Sequence, residues 1–328
     1  MRFSSGCAFP MASAPAGPQF LAYLNGRWLP LRDAAVSVLD GGFVQGTTVA
    51  EQLRTFRGRL FELPAHLARL ARSLAIIGLA PPLPLEEIGQ IATELAEQNA
   101  KLLDADDDQN VTIFVTPGPY PAYADVAGRQ GPTLGIHTQP LPFSQWANKY
   151  HTGERLVVSD VRQVPTSCWP AELKCRSRMH YYLADRQARQ RDPRARALLL
   201  NERGLVTEAS TANVLVVRRG EGLVSPRKED ILPGVTVAVV ASLAKRLGLP
   251  WVERDVTVAD VATAEEVLLC STSPCVLPVT AVDGQPIGGG VPGPVWRQLM
   301  TAFSEQVGLD IVEQARQRAA RRAGGAHG

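Results

Sequence analysis

The chain is rich in guanidinium groups and poor in amines: five lysines, Lys101, Lys149, Lys174, Lys228 and Lys245, stand against 29 arginines. An amine becomes a nucleophile or a base only after losing its proton, a loss that burial or neighbouring positive charge promotes. Lys101 and Lys245 fall on polar faces of predicted helices, Lys149 in a connector and Lys228 in a charged turn. Lys174 differs, because it precedes a predicted helix that carries Arg176, Arg178 and His180. Taken alone, the segment also suits an ordinary surface lysine.

Two further clusters could take part in chemistry. Val206-Thr-Glu208-Ala-Ser-Thr-Ala-Asn213 sets an acid and several hydroxyl or amide groups between apolar runs, a pattern that either caps a turn or binds a ligand. Ile231-Leu-Pro-Gly-Val-Thr236 opens a predicted helix over 235–247, with Gly248 as its stop. Free N–H groups at such a start, with the Thr236 hydroxyl, can hold a phosphate, although most Pro-Gly turns are purely structural. Gly288, Gly290 and Gly293 spell G-x-G-x-x-G, but Pro286 and Pro292 crowd them and no βαβ unit surrounds them, so they read as a surface loop. His66 and His137 lack a second histidine at ligand spacing, and no metal site is expected.

Composition narrows the setting. At 328 residues the chain suits two domains, and a formal net charge of +2 gives no field that implies nucleic acid. Five cysteines without a C-x-x-C pair argue against a disulfide framework or structural zinc, and fit a reducing cytoplasm. The apolar run from Val235 to Ala244 is too short for a membrane span, which needs roughly twenty residues. Residues 1–19, broken by Pro10, Pro15 and Pro18, read as a disordered extension, with Met11 as an alternative start.

The elements that must position these groups fall into two sets. A small N-terminal domain over 20–138 begins with an Asn25-Gly26 hairpin. It continues with strands around Arg57-Gly58, a helix with Leu67, Leu70, Leu74 and Ile77 on one face, a second helix from about Leu85 to Leu102, and strands at 111–116 and 133–138. The acidic run Asp104 to Asp108 reads as a solvated loop. A connector over 139–153 leads to a larger domain over 154–312, where strands alternate with helices at about 177–190, 235–247 and 294–306, an α/β (α+β) pattern. Residues 313–328 read as a solvated basic tail.

Taken in order over about 22–306, these segments resemble the fold-type IV (class IV) pyridoxal 5'-phosphate enzymes: branched-chain and D-amino-acid aminotransferases, R-selective amine transaminases and aminodeoxychorismate lyase. The resemblance implies a small α/β sandwich beside a larger α/β pseudo-barrel. Pro64-Ala-His-Leu-Ala-Arg69-Leu is similar to the family's H-x-x-R-L helix, which implies a phosphate grip at Arg69. Glu172-Leu-Lys174-Cys-Arg-Ser-Arg178 matches the Schiff-base segment, and Glu208 matches the acid that pairs with the pyridine nitrogen. Further cofactor contacts are implied at Ser210, Thr211, Val235, Thr236, Ser271 and Thr272, with Ser273 beside the substrate.

The departures from the family pattern matter as well. The tyrosine five residues after the lysine is Met179 here, so Tyr181 or Tyr182 compensates or the contact is lost. The carboxylate-binding arginine and histidine of the D-amino-acid enzymes are absent from Thr116-Pro-Gly-Pro-Tyr-Pro-Ala-Tyr-Ala124, and Thr112 stands near the branched-chain enzymes' arginine. Gln45, Gln52 and Arg54 align with pocket positions, and Arg54 is the remaining carboxylate partner expected there. The implied reaction is transamination between an amino donor and a keto-acid acceptor, with Lys174 as general base; the alternative is a lyase that releases pyruvate. A homodimer whose partner lends a loop, at 117–128, is also implied.

Overall fold

A computed structural model describes residues 19–325, so the expected extension over 1–18 lies outside the described residues. Asn25 and Gly26 take positive φ of 51° and 82°, as a two-residue type I′ turn requires, and join β1 (Leu21–Leu24) to β2 (Arg27–Pro30). After the single turn α1 (Gly41–Val44) come β3 (Val49–Phe56), β4 (Arg59–Leu60), helices α2 (Leu63–Ile76) and α3 (Leu85–Ala100), β5 (Gln109–Thr116) and β6 (Thr133–Pro140). They form an antiparallel sheet ordered β2-β1-β6-β5-β3-β4. Leu70 and Leu74 of α2 and Ile88 and Leu95 of α3 bury against Leu53, Val111 and Ile113, which realises the apolar face read in the sequence.

The larger half holds α4 (Lys149–Thr152), β7 (Glu154–Val158), α5 (Met179–Arg191), β8 (Ala195–Leu200), β9 (Val206–Ala209), β10 (Ala212–Arg218), β11 (Gly222–Ser225), α6 (Val235–Arg246), β12 (Trp251–Glu253), α7 (Val258–Ala262), β13 (Glu266–Ser271), β14 (Cys275–Val282) and α8 (Pro294–Val307). Its strands run β12-β11-β10-β13-β14-β7-β8-β9, and β9 pairs back onto β10, which closes a six-membered barrel. The mixed α/β architecture expected from the sequence is the one observed. Phe143, Trp146 and Tyr150 of the connector sink into the core of this half. No helix among the described residues is long and apolar enough to cross a membrane.

Two expectations are overturned at the chain's end. The tail read as solvated is helical as α9 (Ile311–Gly325), and Gln314 and Arg318 are buried. The acidic run read as a solvated loop is its partner: Arg318 reaches Asp104 and Asp106 at 3.3 and 3.0 Å, and Gln314 Nε2 donates to Asp108 Oδ2 at 2.7 Å. Asp108, only 1% exposed, also accepts from Thr55 Oγ1 at 2.6 Å. The basic helix and the acidic loop therefore neutralise each other across the two halves.

Candidate active site

A cleft of about 510 Å³ opens between the small sheet and the barrel. Lys174 reaches it from an unusual position. Its carbonyl accepts from Ala50 N–H at 3.0 Å, Arg176 N–H donates to Thr48 O at 2.8 Å, and Val49 and Cys175 form an isolated antiparallel bridge. Ser73 Oγ of α2 accepts from Lys174 N–H at 3.1 Å. A segment that belongs by sequence to the larger half is thus pinned by its backbone to β3 and α2. Burial lowers the Lys174 amine to about 7, opposed by Glu51 and assisted by the charges of Arg178, Arg69 and Arg176.

Glu208 faces the same cleft from β9. Its Oε1 accepts from Leu232 N–H at 2.7 Å and Asn213 Nδ2 at 2.9 Å, while Oε2 accepts from Tyr181 Oη at 2.9 Å. Burial lifts this carboxyl to about 7 in spite of those donors and the nearby charges of Lys174 and Arg69. Tyr181, and not the exposed Tyr182, therefore points into the site, and its hydroxyl meets the acid.

Arg69 is held rather than free. Its Nε and Nη2 donate to Glu51 Oε1 and Oε2, both at 2.7 Å, and Nη1 donates to Pro233 O at 2.8 Å, which leaves Nη1 one more N–H to offer. Burial would raise Glu51, but the bonds from Arg69 and His66 outweigh it and hold the carboxyl at about 2. Next to Pro233, α6 begins at Gly234 with no side chain capping its first N–H groups. A Cβ on Gly234 would lie 2.1 Å from Asn213 Oδ1, so only glycine lets the chain pass there. Val235, Thr236, Ser271 and Thr272 line this end, and Thr272 Oγ1 donates to Gln52 O at 3.2 Å.

The remaining candidates divide. Gln52, Ser210, Thr211 and Ser273 line the cleft; Ser210 Oγ donates to Asp185 Oδ1 at 2.7 Å, and Ser273 Oγ donates to Asn110 Oδ1 at 2.8 Å. Gln45 and Arg54 do not line it. Gln45 is exposed at the end of α1. Arg54 is 1% exposed and fully engaged, with Nη1 on Ser273 O at 2.7 Å, Nη2 on Gln314 Oε1 at 3.2 Å and Nε on Thr55 O at 3.1 Å. The carboxylate role expected of Arg54 is therefore corrected: its donors are spent on the protein. Glu51 was not singled out, although a glutamate inside the apolar run of β3 is a local signal that a buried cation must meet it.

A family model of class IV amino-transferases matches residues 48–282. The chain belongs to the class IV aminotransferases. It is 30% identical over 288 residues to the D-alanine aminotransferase of Bacillus licheniformis, covering 86% of this chain and 95% of that protein. It is also 30% identical over 283 residues to a putative branched-chain-amino-acid aminotransferase of Methanocaldococcus jannaschii, covering 86% and 95%. Among solved structures, a T.th. branched-chain amino acid aminotransferase complexed with N-(5'-phosphopyridoxyl)-L-glutamate aligns with a TM-score of 0.77 at 25% identity over 88% of this chain and 95% of that one. The branched-chain aminotransferase of Thermoproteus uzoniensis with norvaline gives 0.77 at 28% identity over 89% and 96%. This class IV aminotransferase is therefore an enzyme of amino-group transfer in a family dependent on pyridoxal 5'-phosphate, and the lyase alternative is not favoured.

Proposed function

We propose that the enzyme carries pyridoxal 5'-phosphate covalently on Lys174 and moves an amino group from an amino acid to a 2-keto acid. The observation that carries this reading is one cleft that gathers a depressed lysine, a buried carboxyl and an uncapped helix start. The residues fit the group: α6 N–H groups, Thr236, Thr272 and the spare N–H of Arg69 suit a phosphate, with Val235, Ser271, Ser210 and Thr211 as further walls. Glu208 suits a protonated ring nitrogen. When bound, the cofactor supplies an electron sink for the charge left on the substrate α-carbon.

Lys174 Nζ, brought down by burial to about 7 so that a large share is unprotonated near neutral pH, takes the proton from that carbon as general base and later redelivers it. Tyr181, Asn213 and Leu232 N–H hold the Glu208 carboxyl in place. Gln52 and Ser273 line the substrate side.

A homodimer suits the apolar side chains left in water on one set of loops, Val38, Phe43, Tyr123 and Val126, the last two within the loop at 117–128. A cytoplasmic setting suits the unpaired Cys168, Cys175, Cys270 and Cys275. Borohydride reduction of the yellow holoenzyme followed by peptide mapping tests the assignment. The label is expected on Lys174, and label on any other lysine overturns it.

A further inference from the structure

We infer that Arg178, with the imidazole of His180 near it, anchors the carboxylate of the substrate, so that the enzyme takes α-amino acids and 2-keto acids in preference to amines without a carboxylate. The inference rests on the transaminase reading of the same cleft. It begins from the cations that line the cleft, taken one at a time. Arg69 is bound to Glu51 and Pro233 O, Lys149 to Glu154 at 2.7 Å, and Arg189 to Asp185 at 3.6 Å. Arg196 donates to the Ser210 carbonyl and to Thr211 Oγ1. Arg178 lines the same cleft, and among the described residues its guanidinium has neither a hydrogen bond nor an ion pair.

A second unmet donor stands two residues away. His180 also lines the cleft, and its Nε2 is buried without a hydrogen-bond partner. Its ring packs on Tyr181, which lines the same cleft, with centroids 4.0 Å apart. Burial and the charge of Arg178 hold His180 below its ordinary value, so near neutral pH it is an uncharged ring able to turn an N–H toward a ligand. Met179, between the two, is 68% exposed and takes no part.

A guanidinium and an imidazole with unspent N–H groups beside an amine lack an oxyanion. Glu51 and Glu208 are committed elsewhere by the bonds already given. The phosphate end lies at α6, which shares its wall with Arg69. Tyr181 carries α5 to the Glu208 end. Arg178, at the head of α5, lines the same cleft as Lys174, and its charge is felt at the amine. The anion brought to that carbon by an amino acid or keto acid is its own carboxylate. With Arg54 spent on Ser273 O and Gln314, Arg178 is the arginine lining the cleft with a whole fork to offer.

The test uses holoenzyme and two arms. In the first, 4-methylvaleric acid, a carboxylate with no amine to transfer, is titrated while the visible band of the bound cofactor is followed. Arg178→Ala is expected to weaken its binding by about 10- to 100-fold, the loss of one or two charge-assisted bonds, with Arg178→Lys intermediate and His180→Phe weaker by a few fold. In the second, single-turnover efficiency is compared for D- and L-amino acids and for benzylamine, each variant being checked for cofactor content. The amino-acid to amine ratio is expected to fall by about 10- to 100-fold in Arg178→Ala.

Unaltered affinity for 4-methylvaleric acid, or no binding to the wild type, overturns the inference. So does an equal loss for amino acid and amine, which would assign Arg178 to an oxygen of the cofactor. Wild-type holoenzyme that reacts with no donor at all would sink the transaminase reading, while the first arm still decides Arg178.

Discussion

Where α9 meets the small domain, each charge faces a counter-charge or a matched amide: Arg318 with Asp104 and Asp106, Arg322 with Asp107, and Arg54 with Gln314 and the rim of Asp108. In the cleft the plan is different. Lys174 stays depressed, Glu208 stays raised and Arg178 has no side-chain partner among the described residues, so three ionisable groups share a partly closed space without pairing with one another. Both regions join the same two halves of the molecule. The contrast separates arginines that hold the structure together from ionisable groups kept without a charged partner in the cleft, a distinction that residue type alone does not make.

The largest expected effect that would sharpen this contrast is at Glu208. Glu208→Gln keeps the shape and loses the charge, so the cofactor should stay bound while turnover per bound cofactor falls about 100-fold. An unchanged turnover would return Glu208 to the role of tying Leu232 and Asn213 together. Next comes Arg69, which belongs to both plans. Arg69→Met should weaken cofactor retention by about 10- to 100-fold through lost charge-assisted bonds. It should also lower stability by about 3–5 kcal/mol, because it strands the Glu51 charge in the core. Adding Glu51→Gln should recover the stability and not the retention; equilibrium dialysis and denaturant unfolding read the two separately.

A smaller effect concerns pH. Only the neutral amine of Lys174 attacks an aldehyde, so attachment of the cofactor to apoenzyme should speed up about tenfold per unit below pH 7 and level off above it. Removing the neighbouring cation in Arg178→Ala should move that midpoint upward. Stopped-flow absorbance measures both, and a plateau reached only near pH 10 would contradict the cleft's part in the comparison. The smallest effect belongs to the matched seam. Arg318→Ala should lower stability by about 1 kcal/mol; the ion-pair share of the loss should vanish in high salt, since Asp104 and Asp106 are 71% and 79% exposed, while the share from the buried arginine stem persists. Urea midpoints at low and high salt decide it.

The sequence allowed the helices and strands to be read where local pattern governs them. The helix at 235 was read from its Pro-Gly start and Gly248 stop, and it buries Val239, Val240 and Leu243 at helical spacing. Lys174 and Glu208 were singled out through motif order, and both line one cleft. α9 was misread because its counter-charges lie some 200 residues upstream, and a local reading of Arg318 and Arg322 sees only a basic helix. Arg54 was misread for a related reason. Period-two alternation puts it on the same strand face as Gln52, but it cannot tell how far along the strand the cleft ends. β3 is buried over nearly its whole length, so exposure gave no help either. Arg178 looked like one more cation in a basic segment; its lack of a side-chain partner among the described residues distinguishes it.

The backbone pinning of Lys174 to β3 and α2 has a consequence for how the protein comes apart. A reactive residue borne by one half and tied to the other by Ala50 N–H and Ser73 Oγ cannot keep its place if the halves separate. Saturating cofactor, which binds only the closed arrangement, must then stabilise both halves by the same free energy. Heating the holoenzyme should melt sheet and barrel together in one calorimetric peak, while the apoprotein, which lacks the contacts that the cofactor adds between the halves, is where two separate peaks would first emerge.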